Sequence, residues 1–190
     1  MEKKRCNWAS NSPDFYKKYH DEEWGKEVHD DNLLFELIVL EGAQAGLSWS
    51  TILKRRENYR LAFDDFDYNK IAKYDEKKII ELLNNEGIIR NKLKINSAIN
   101  NAKQFLKIQK EFGSFDKYIW GFVDYKPIIN GFESMKEIPA KTELSDKISK
   151  DMKKRGFNFI GSTIIYAYLQ SIGIVNDHLV SCFRYQELIG

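Results

Sequence analysis

Two cysteines, Cys6 and Cys182, and the histidines near them are the residues of this 190-residue chain best suited to bind a metal. His20 follows Cys6, and His178 precedes Cys182 by four positions. Two Cys and two His form the four-ligand tetrahedral set typical of a structural zinc site. On a helix, residues four apart lie on one face, so His178 and Cys182 could bind one ion together. The spacing therefore predicts a metal that joins the N- and C-terminal segments.

Two other interpretations of these residues stay open at this point. The cysteines could be buried, reduced and unrelated to the histidines, or they could form a disulfide with each other. A ligand set split between the two ends of a chain is much less specific than a pair of CxxC motifs. Spacing alone does not decide among the three.

A second candidate site is the segment from Glu41 to Trp49. Glu41 lies at the edge of an apolar helical stripe, where a carboxylate is either solvated at a helix end or buried for a function. Gly46 and Leu47 form a tip at which the backbone could approach another molecule closely. A carboxylate near the indole of Trp49 predicts a pocket for a flat cation, which would be held by stacking and charge.

A third candidate is the turn that follows Lys153 and Lys154 and contains Gly156 and Gly161. Predicted helices flank this turn, which resembles the hairpin of a helix-hairpin-helix motif. In such a motif, backbone N–H groups at a helix N-terminus bind a phosphate, and nearby lysines add electrostatic attraction. An ordinary turn between two helices is the alternative. The sequence Gly-Ile-Ile-Arg at 87–90 is a weaker candidate of the same kind.

Composition limits the classes of protein that need to be considered. Apolar residues make up 43% and aromatic residues 14% of the chain, as in a globular protein. The N-terminal residues lack the apolar stretch of a signal peptide, and no run of 18 apolar residues predicts a membrane span. Two cysteines without a signal peptide indicate a reducing cytoplasm, and we expect a monomer because no exposed heptad or apolar surface stripe stands out. A net charge of +2 does not identify a nucleic-acid ligand, and the basic clusters at 54–56 and 153–155 alone indicate solvated helix faces.

Apolar residues recur at helical spacing along most of the chain, which predicts an all-α fold and one domain over residues 1–190. Asp75 and Ser114 are predicted helix N-caps, and Gly87 and Gly113 are predicted to end helices. Residues 124–140 are predicted to form a long loop. Asn176 is predicted to cap a last short helix that carries His178 and Cys182. The remaining helices are predicted to start near Asp31, to include Ile52 to Phe63, and to end at Gly156 and at Gly173.

Seven segments together resemble the type I (Tag) family of 3-methyladenine DNA glycosylases, and the resemblance covers nearly the whole chain. The segments are CNW at 6–8, YHDEEWG at 19–25, LEGAQAGLSW at 40–49, KRRENYR at 54–60, GIIR at 87–90, KRGFNFIG at 154–161 and VNDH at 175–178. The resemblance implies a helix-hairpin-helix glycosylase fold. It also implies base-excision repair: hydrolysis of the N-glycosidic bond of 3-methyladenine, and weakly of 3-methylguanine, in double-stranded DNA. The free base would be released and an abasic site left, with no lyase activity.

The resemblance also implies roles for particular residues. It implies a structural Zn²⁺ held by Cys6, His20, His178 and Cys182, whose closed set of four ligands leaves no position for a catalytic water. It implies a base pocket formed by Tyr16, Tyr19, Glu41 and Trp49, with Trp8 and Trp24 either walling it or packing in the core. An enzyme of this kind must flip its base out of the duplex, for which Gly46 and Leu47 are the predicted wedge. The predicted grip on the DNA backbone is the hairpin with its basic residues: Lys154, Arg155, Gly156, Gly161, Ser162 and Thr163.

Methylation at N3 leaves the adenine of a nucleoside positively charged, so its glycosidic bond is already weak. The pocket therefore has mainly to select the lesion. We expect Glu41 to be the principal catalytic residue, as an ionised carboxylate that accepts hydrogen bonds from the base. Tyr16 and Tyr19 are the expected donors that keep it ionised, and Trp49 adds cation–π attraction.

Three roles are open for Asp177. It could be the catalytic aspartate found elsewhere in the superfamily, although the type I family is usually described as not relying on one. It could instead cap the last helix with Asn176, or orient a zinc-bound histidine. For the whole protein, a zinc-stapled module that binds damaged DNA without cleaving it is the main alternative. A zinc-dependent hydrolase fits less well, because four protein ligands close the coordination sphere.

Overall fold

A computed structural model describes residues 3–189. Over these residues two short 3-10 turns accompany the helices, and none of the helices is both long enough and apolar enough to cross a membrane. The helices are α1 (Asn7–Ser10), α2 (Asp14–Glu22), α3 (Asp31–Gln44), α4 (Trp49–Leu53), α5 (Arg56–Ala62), α6 (Tyr68–Ile71), α7 (Glu76–Asn84), α8 (Lys92–Phe112), α9 (Phe115–Trp120), α10 (Glu143–Lys154), α11 (Ser162–Ser171) and α12 (Phe183–Ile189). The strands are β1 (Ile128–Ile129) and β2 (Val175–Asn176).

Local sequence signals start and end many of these helices, and the predicted all-α fold is confirmed. The side chains of Asp75 and Ser114 accept hydrogen bonds from Lys78 and Lys117 backbone N–H groups, as predicted for N-caps. Gly113 ends α8 in the left-handed conformation, with φ of 91°. Each cap satisfies backbone groups that the helix itself leaves unpaired.

Helix α3 is the centre of the core. Its residues 34–43 are buried on every face, and it packs against α8, α9 and α11. Phe35 contacts Phe105 with ring centroids 5.1 Å apart, and Phe105 stacks on Phe115 at 4.3 Å. Because α3 continues to Gln44, the carboxyl of Glu41 lies inside the protein rather than at a solvated helix end.

The basic cluster at 54–56 differs from its prediction. The single helix predicted to include Ile52 and Phe63 is two helices, α4 and α5, with a break at Lys54. Arg56 is buried and not solvated, because its guanidinium pairs with the carboxylates of Glu23 and Glu36. Such pairing is what allows a charge to be buried. The helix capped by Asp75 also ends early, at Asn84 and not at Gly87.

The predicted last helix carrying the two metal ligands is wrong. Val175 and Asn176 form strand β2, which pairs in parallel with β1 so that Ile128 lies opposite Val175. His178 follows in irregular backbone, and Cys182 lies directly before α12. Residues 172–179 are buried, so the backbone here is paired with a neighbouring segment and enclosed by the core instead of forming an exposed helical turn.

Candidate active site and metal centre

Cys6, His20, His178 and Cys182 lie together, and all four are buried. Their ligand atoms are all within 4.8 Å of one another. The Sγ of Cys182 is 3.5 Å from His20 Nε2 and 3.6 Å from His178 Nδ1, and Cys6 Sγ is also 3.6 Å from that nitrogen. Tetrahedral zinc with ordinary bond lengths separates a sulfur from a nitrogen ligand by about 3.6 Å. The four side chains can therefore hold a metal that joins the two ends of the chain.

Hydrogen bonds orient both histidines toward the centre of this cluster. His20 Nδ1 is 2.8 Å from Asp21 Oδ1, and His178 Nε2 is 2.9 Å from the Trp24 carbonyl oxygen. Each acceptor selects the tautomer whose other nitrogen presents a lone pair to the cluster. Asp21 and the Trp24 carbonyl thus fill the role that was considered for Asp177.

Neither cysteine is in a disulfide. Hydrogen bonds from Cys6, His178 and His20 lower the pKa of the Cys182 thiol, whereas the hydrogen bond to Cys182 and burial raise the pKa of Cys6. Without a bound cation, the two cysteines therefore favour one thiolate, at Cys182, and one neutral thiol, at Cys6. A bound divalent metal would supply the positive charge for a second.

A cavity of about 300 Å³ opens beside the metal cluster. It is lined by Trp8, Tyr16, Tyr19, Trp24, Glu41, Gln44, Trp49, Met135, Ile138, Pro139, Ala140, Thr163, Tyr166, Ala167 and Gln170. All six residues expected at the base pocket are among them, although they come from four helices and a loop. The cavity also shares a wall with the metal cluster. Trp8 packs on the His20 ring with centroids 5.0 Å apart, and Trp24 packs on the His178 ring at 4.6 Å.

Glu41 is 4% exposed, and burial raises the pKa of its carboxyl to about 8. The expectation that tyrosine donors keep it ionised is not met. Within residues 3–189, no donor makes a hydrogen bond to the Glu41 carboxyl. Neither Tyr16 nor Tyr19 does so. Burial and the charge of Glu41 instead raise the pKa of both tyrosines. A carboxyl with this pKa is mostly protonated at pH 7.

Aromatic rings supply the walls around this carboxyl. Tyr19 and Trp49 lie with ring centroids 5.5 Å apart, and Trp8 and Tyr16 at 5.1 Å. The indole nitrogen of Trp49 is buried and has no acceptor in the described part of the chain. A cavity with aromatic walls and a carboxyl can take a flat heteroaromatic ring and recognise its polar edge.

Asp177 lies behind the opposite wall, where it is fully buried. It accepts hydrogen bonds from the hydroxyl of Tyr166, from Gln170 Nε2 at 2.7 Å and from Asn130 Nδ2 at 2.7 Å. Tyr166 and Gln170 both line the cavity. Asp177 therefore neither caps a helix nor contacts a metal ligand through its carboxylate, but fixes two side chains of the pocket wall.

Sequence reasoning missed Gln44, Tyr166, Gln170 and the loop residues of this cavity. Tyr166 and Gln170 had a usable signal, because they are polar groups four positions apart in an otherwise largely apolar helix. The loop residues Met135 to Ala140 had none, since no periodicity marks which loop residue faces a cavity.

The residues expected to contact DNA lie on two exposed turns. Gly46 has φ of 77°, and the next residue, Leu47, is 40% exposed. Gly156, with φ of 91°, begins the turn that ends at Gly161, the N-cap of α11, and Ser162 and Thr163 form the first turn of that helix. These two turns are the sites at which a large ligand could approach the backbone closely.

The basic residues at the second turn differ in their surroundings. Lys154 is exposed, as the prediction requires. Arg155 is held by Glu111 and Asp151, each at 2.7 Å. A hydrogen bond with Ser162 and the charge of Lys141 lower the pKa of Asp146, so this carboxylate lies at the start of α11. Lys154 is therefore the better placed of the two basic residues for binding a phosphate.

Comparison with known proteins accounts for this arrangement. The family model for methyladenine glycosylase matches residues 8–185. A DNA-3-methyladenine glycosylase of Haemophilus influenzae is 48% identical over 178 residues, which are 94% of this chain and 96% of the relative. A crystal structure of 3-methyladenine DNA glycosylase I (TAG), 48% identical, superposes with a TM-score of 0.91 and covers 95% of this chain and 98% of its own. A structure of a TAG variant in complex with 3-methyladenine is 34% identical, has a TM-score of 0.90 and covers 94% and 96% of the two chains. This chain belongs to the methyladenine glycosylase family.

Proposed function

We propose that this protein removes 3-methyladenine from alkylated double-stranded DNA by hydrolysing its N-glycosidic bond, as a step of base-excision repair. It acts as a single-domain monomer, releases the free base and leaves an abasic site without cleaving the strand. The observation that carries the proposal is the buried carboxyl of Glu41 inside a cavity walled by Tyr19 and Trp49. Relatives of this fold are glycosylases for 3-methyladenine, and one is in complex with that base.

A base can reach this cavity only after it leaves the duplex stack. Leu47, exposed beside Gly46, would enter the stack and occupy the vacated space. The backbone N–H groups of Gly161, Ser162 and Thr163 at the start of α11 would bind a phosphate, with Gly156 shaping the turn and Lys154 adding attraction. For Arg155 to contribute directly, a phosphate would have to replace Glu111 or Asp151 beside it.

The charge of the lesion explains the selectivity of the pocket. A cationic base that enters the cavity favours ionisation of Glu41, because no cation among residues 3–189 is in hydrogen-bond contact with this carboxyl. The carboxylate can then accept hydrogen bonds from the edge of the base. Stacking on Trp49 and the tyrosines adds ~1–3 kcal/mol. Trp8 and Trp24 support this wall from the metal side. An unmethylated, neutral purine gains the stacking energy but not the charge interaction.

We infer that the metal held by Cys6, His20, His178 and Cys182 is a structural Zn²⁺. The ligand types, their burial and their separations fit it. Zinc supplies tetrahedral anchorage when bound, and four protein ligands leave it no open position for chemistry. Elemental analysis of the purified protein tests this proposal. About one zinc per chain is expected, and a metal-free protein of native stability would contradict it.

Release of free 3-methyladenine from methylated duplex DNA tests the enzymatic function. The parent protein is expected to release the base without strand cleavage, which is scored on a denaturing gel without alkali. Glu41→Gln, which keeps the shape of the side chain but cannot ionise, should lower the release rate by roughly 100-fold or more. The exposed carboxyl of Glu133 provides the matched control, Glu133→Gln. A folded parent protein that binds methylated DNA but releases no base would instead be a damage-binding module.

A further inference from the structure

The C-terminal end of α3 is only partly capped by its own chain, in which the Leu47 N–H donates to the Gln44 carbonyl at 2.6 Å. The residue after the helix, Ala45, has φ of −45° and is not left-handed, and its N–H reaches the Gly42 carbonyl only at 3.4 Å. The last carbonyls of a helix need partners. The two residues that follow Ala45 are Gly46 and Leu47, so the path of this helix end determines where Leu47 lies.

Lys94 supplies a partner from another helix to two further carbonyls at this end of α3. Its Nζ donates to the carbonyl oxygens of Ala43 at 2.8 Å and Ala45 at 2.7 Å, one inside α3 and one just beyond it. Lys94 lies in the first turn of α8, where a cation is unfavourable for its own helix. Its ammonium group lies instead at the negative end of α3, where the helix dipole favours it.

The same helix also fixes the turn between α10 and α11. Asn101, which is 3% exposed, donates from Nδ2 to the Asn158 carbonyl at 2.9 Å and accepts from the Asn158 N–H at 2.9 Å. Lys94 and Asn101 are seven residues apart, so about 10 Å of α8 separates them on one face. Helix α3 also approaches this second turn closely, because a Cβ on Gly42 would lie 3.4 Å from Phe159 Cβ.

We propose that Lys94 is a positioning residue for DNA engagement: by bridging Ala43 and Ala45 it holds Leu47 at a set distance from the phosphate-binding turn. The inference rests on the proposed function, in which Leu47 enters the stack. This role differs from that of a lysine that only attracts the phosphate backbone of DNA. A positioning lysine acts through Leu47, whereas a phosphate-binding lysine acts through its own charge.

The test is a double-mutant cycle of Lys94→Met and Leu47→Ala, assayed by release of 3-methyladenine from methylated duplex. Lys94→Met should lower kcat/KM by roughly 10- to 100-fold, because misplacement by about 1 Å has effects of this size. Once Leu47 is removed, the further loss on Lys94→Met should be less than about threefold. Lys92→Met, which removes an exposed charge from the same helical turn, is the matched control and should stay close to the parent protein.

Two further readouts separate the alternatives. Binding of free 3-methyladenine, followed by tryptophan fluorescence, should be unchanged by Lys94→Met, which also shows that the variant is folded. The salt dependence of duplex binding should be unchanged too, whereas loss of a phosphate contact would reduce its log–log slope by about one. Should Lys94→Met fail to fold, Lys94→Arg enters the same cycle. The inference would be overturned if the two substitutions lowered kcat/KM independently, if Lys94→Met reduced the salt slope, or if it weakened binding of the free base. If the parent protein released no base, that result would contradict the proposed function instead.

Discussion

Replacing Glu41 with glutamine should stabilise this protein, and by an amount that depends on pH. Burial raises the pKa of Glu41 from 4.5 to about 8, and no donor in the described part of the chain offsets it. The two values differ by about 3.5 pH units, and one unit corresponds to about 1.4 kcal/mol. Ionisation of this single carboxyl therefore lowers the free energy of unfolding by up to about 5 kcal/mol at pH 8.

The sign follows from where the proton is bound. Below pH 4.5 Glu41 is protonated in both the folded and the unfolded chain, and it makes no pH-dependent contribution. Between pH 4.5 and about 8 the unfolded chain has released this proton while the folded chain keeps it, so this group lowers the free energy of unfolding as pH rises. Above that range both forms are ionised and the penalty is constant. Glutamine removes the penalty and loses no hydrogen bond.

Urea denaturation of the parent protein and Glu41→Gln at pH 4.5, 6, 7 and 8 measures this effect. The two free energies of unfolding should nearly coincide at pH 4.5, and the variant should gain about 1.4 kcal/mol with each pH unit up to about 8. Glu133→Gln, at an exposed carboxyl, controls for the change in net charge, and loss of metal in acid affects every variant alike. Curves that stay parallel across this range would show that Glu41 is not a buried, unpaired acid and would refute the reasoning.

Three other substitutions test the surroundings of the pocket. Cys182→Ser should reduce the metal content and lower Tm by about 10 °C, measured by elemental analysis and thermal unfolding; an unchanged Tm would argue against a structural metal. Asp177→Asn should lower the free energy of unfolding by about 3 kcal/mol, because an amide cannot accept from all three donors. The metal content should stay at the parent level. Loss of metal would show that the change had spread to the metal ligands. Gly173→Ala should lower the free energy of unfolding by about 3 kcal/mol or more, since its φ is 76° and a Cβ would overlap the Lys26 carbonyl carbon. Gly121→Ala, where a Cβ meets open space, should be nearly neutral in urea denaturation.

Much of the helical framework could be predicted because its signals are local. The caps at Asp75 and Ser114 and the left-handed Gly113 each act within one turn of the chain, so neighbouring residues are sufficient to identify them. The prediction of a helix around His178 was wrong for the opposite reason. Its four-residue spacing to Cys182 fits a helix, but the pairing of Val175 with Ile128 depends on a strand partner far away in the chain.

The candidate site divides in the same way. Glu41 and Trp49 stand out because a charged or aromatic residue interrupts a local pattern. The environment of Glu41 was not predictable, since the absence of a donor depends on every helix packed around it. The role of Asp177 depends on Asn130 and Gln170, and that of Lys94 on carbonyls about fifty positions away. Backbone acceptors carry no sequence signature, so such contacts are found only in the folded chain.

The metal cluster also has a consequence for the order in which the molecule folds. Cys6 and His178 lie 172 positions apart, so their contact closes a very long loop, whereas α10 and α11 meet through a short turn. Long loops close late, because their entropy is lost before their contacts contribute. The part of the core in which α3 packs against α8 and α9 can therefore assemble while α1 and α2, with Trp8 and Tyr16, are still undocked. During refolding, helical circular dichroism should recover before the tryptophan signal of the pocket, and free metal should speed only the second phase. The pocket wall that carries Trp8 and Tyr16 is thus expected to form together with the metal cluster, after α3 has packed against α8 and α9.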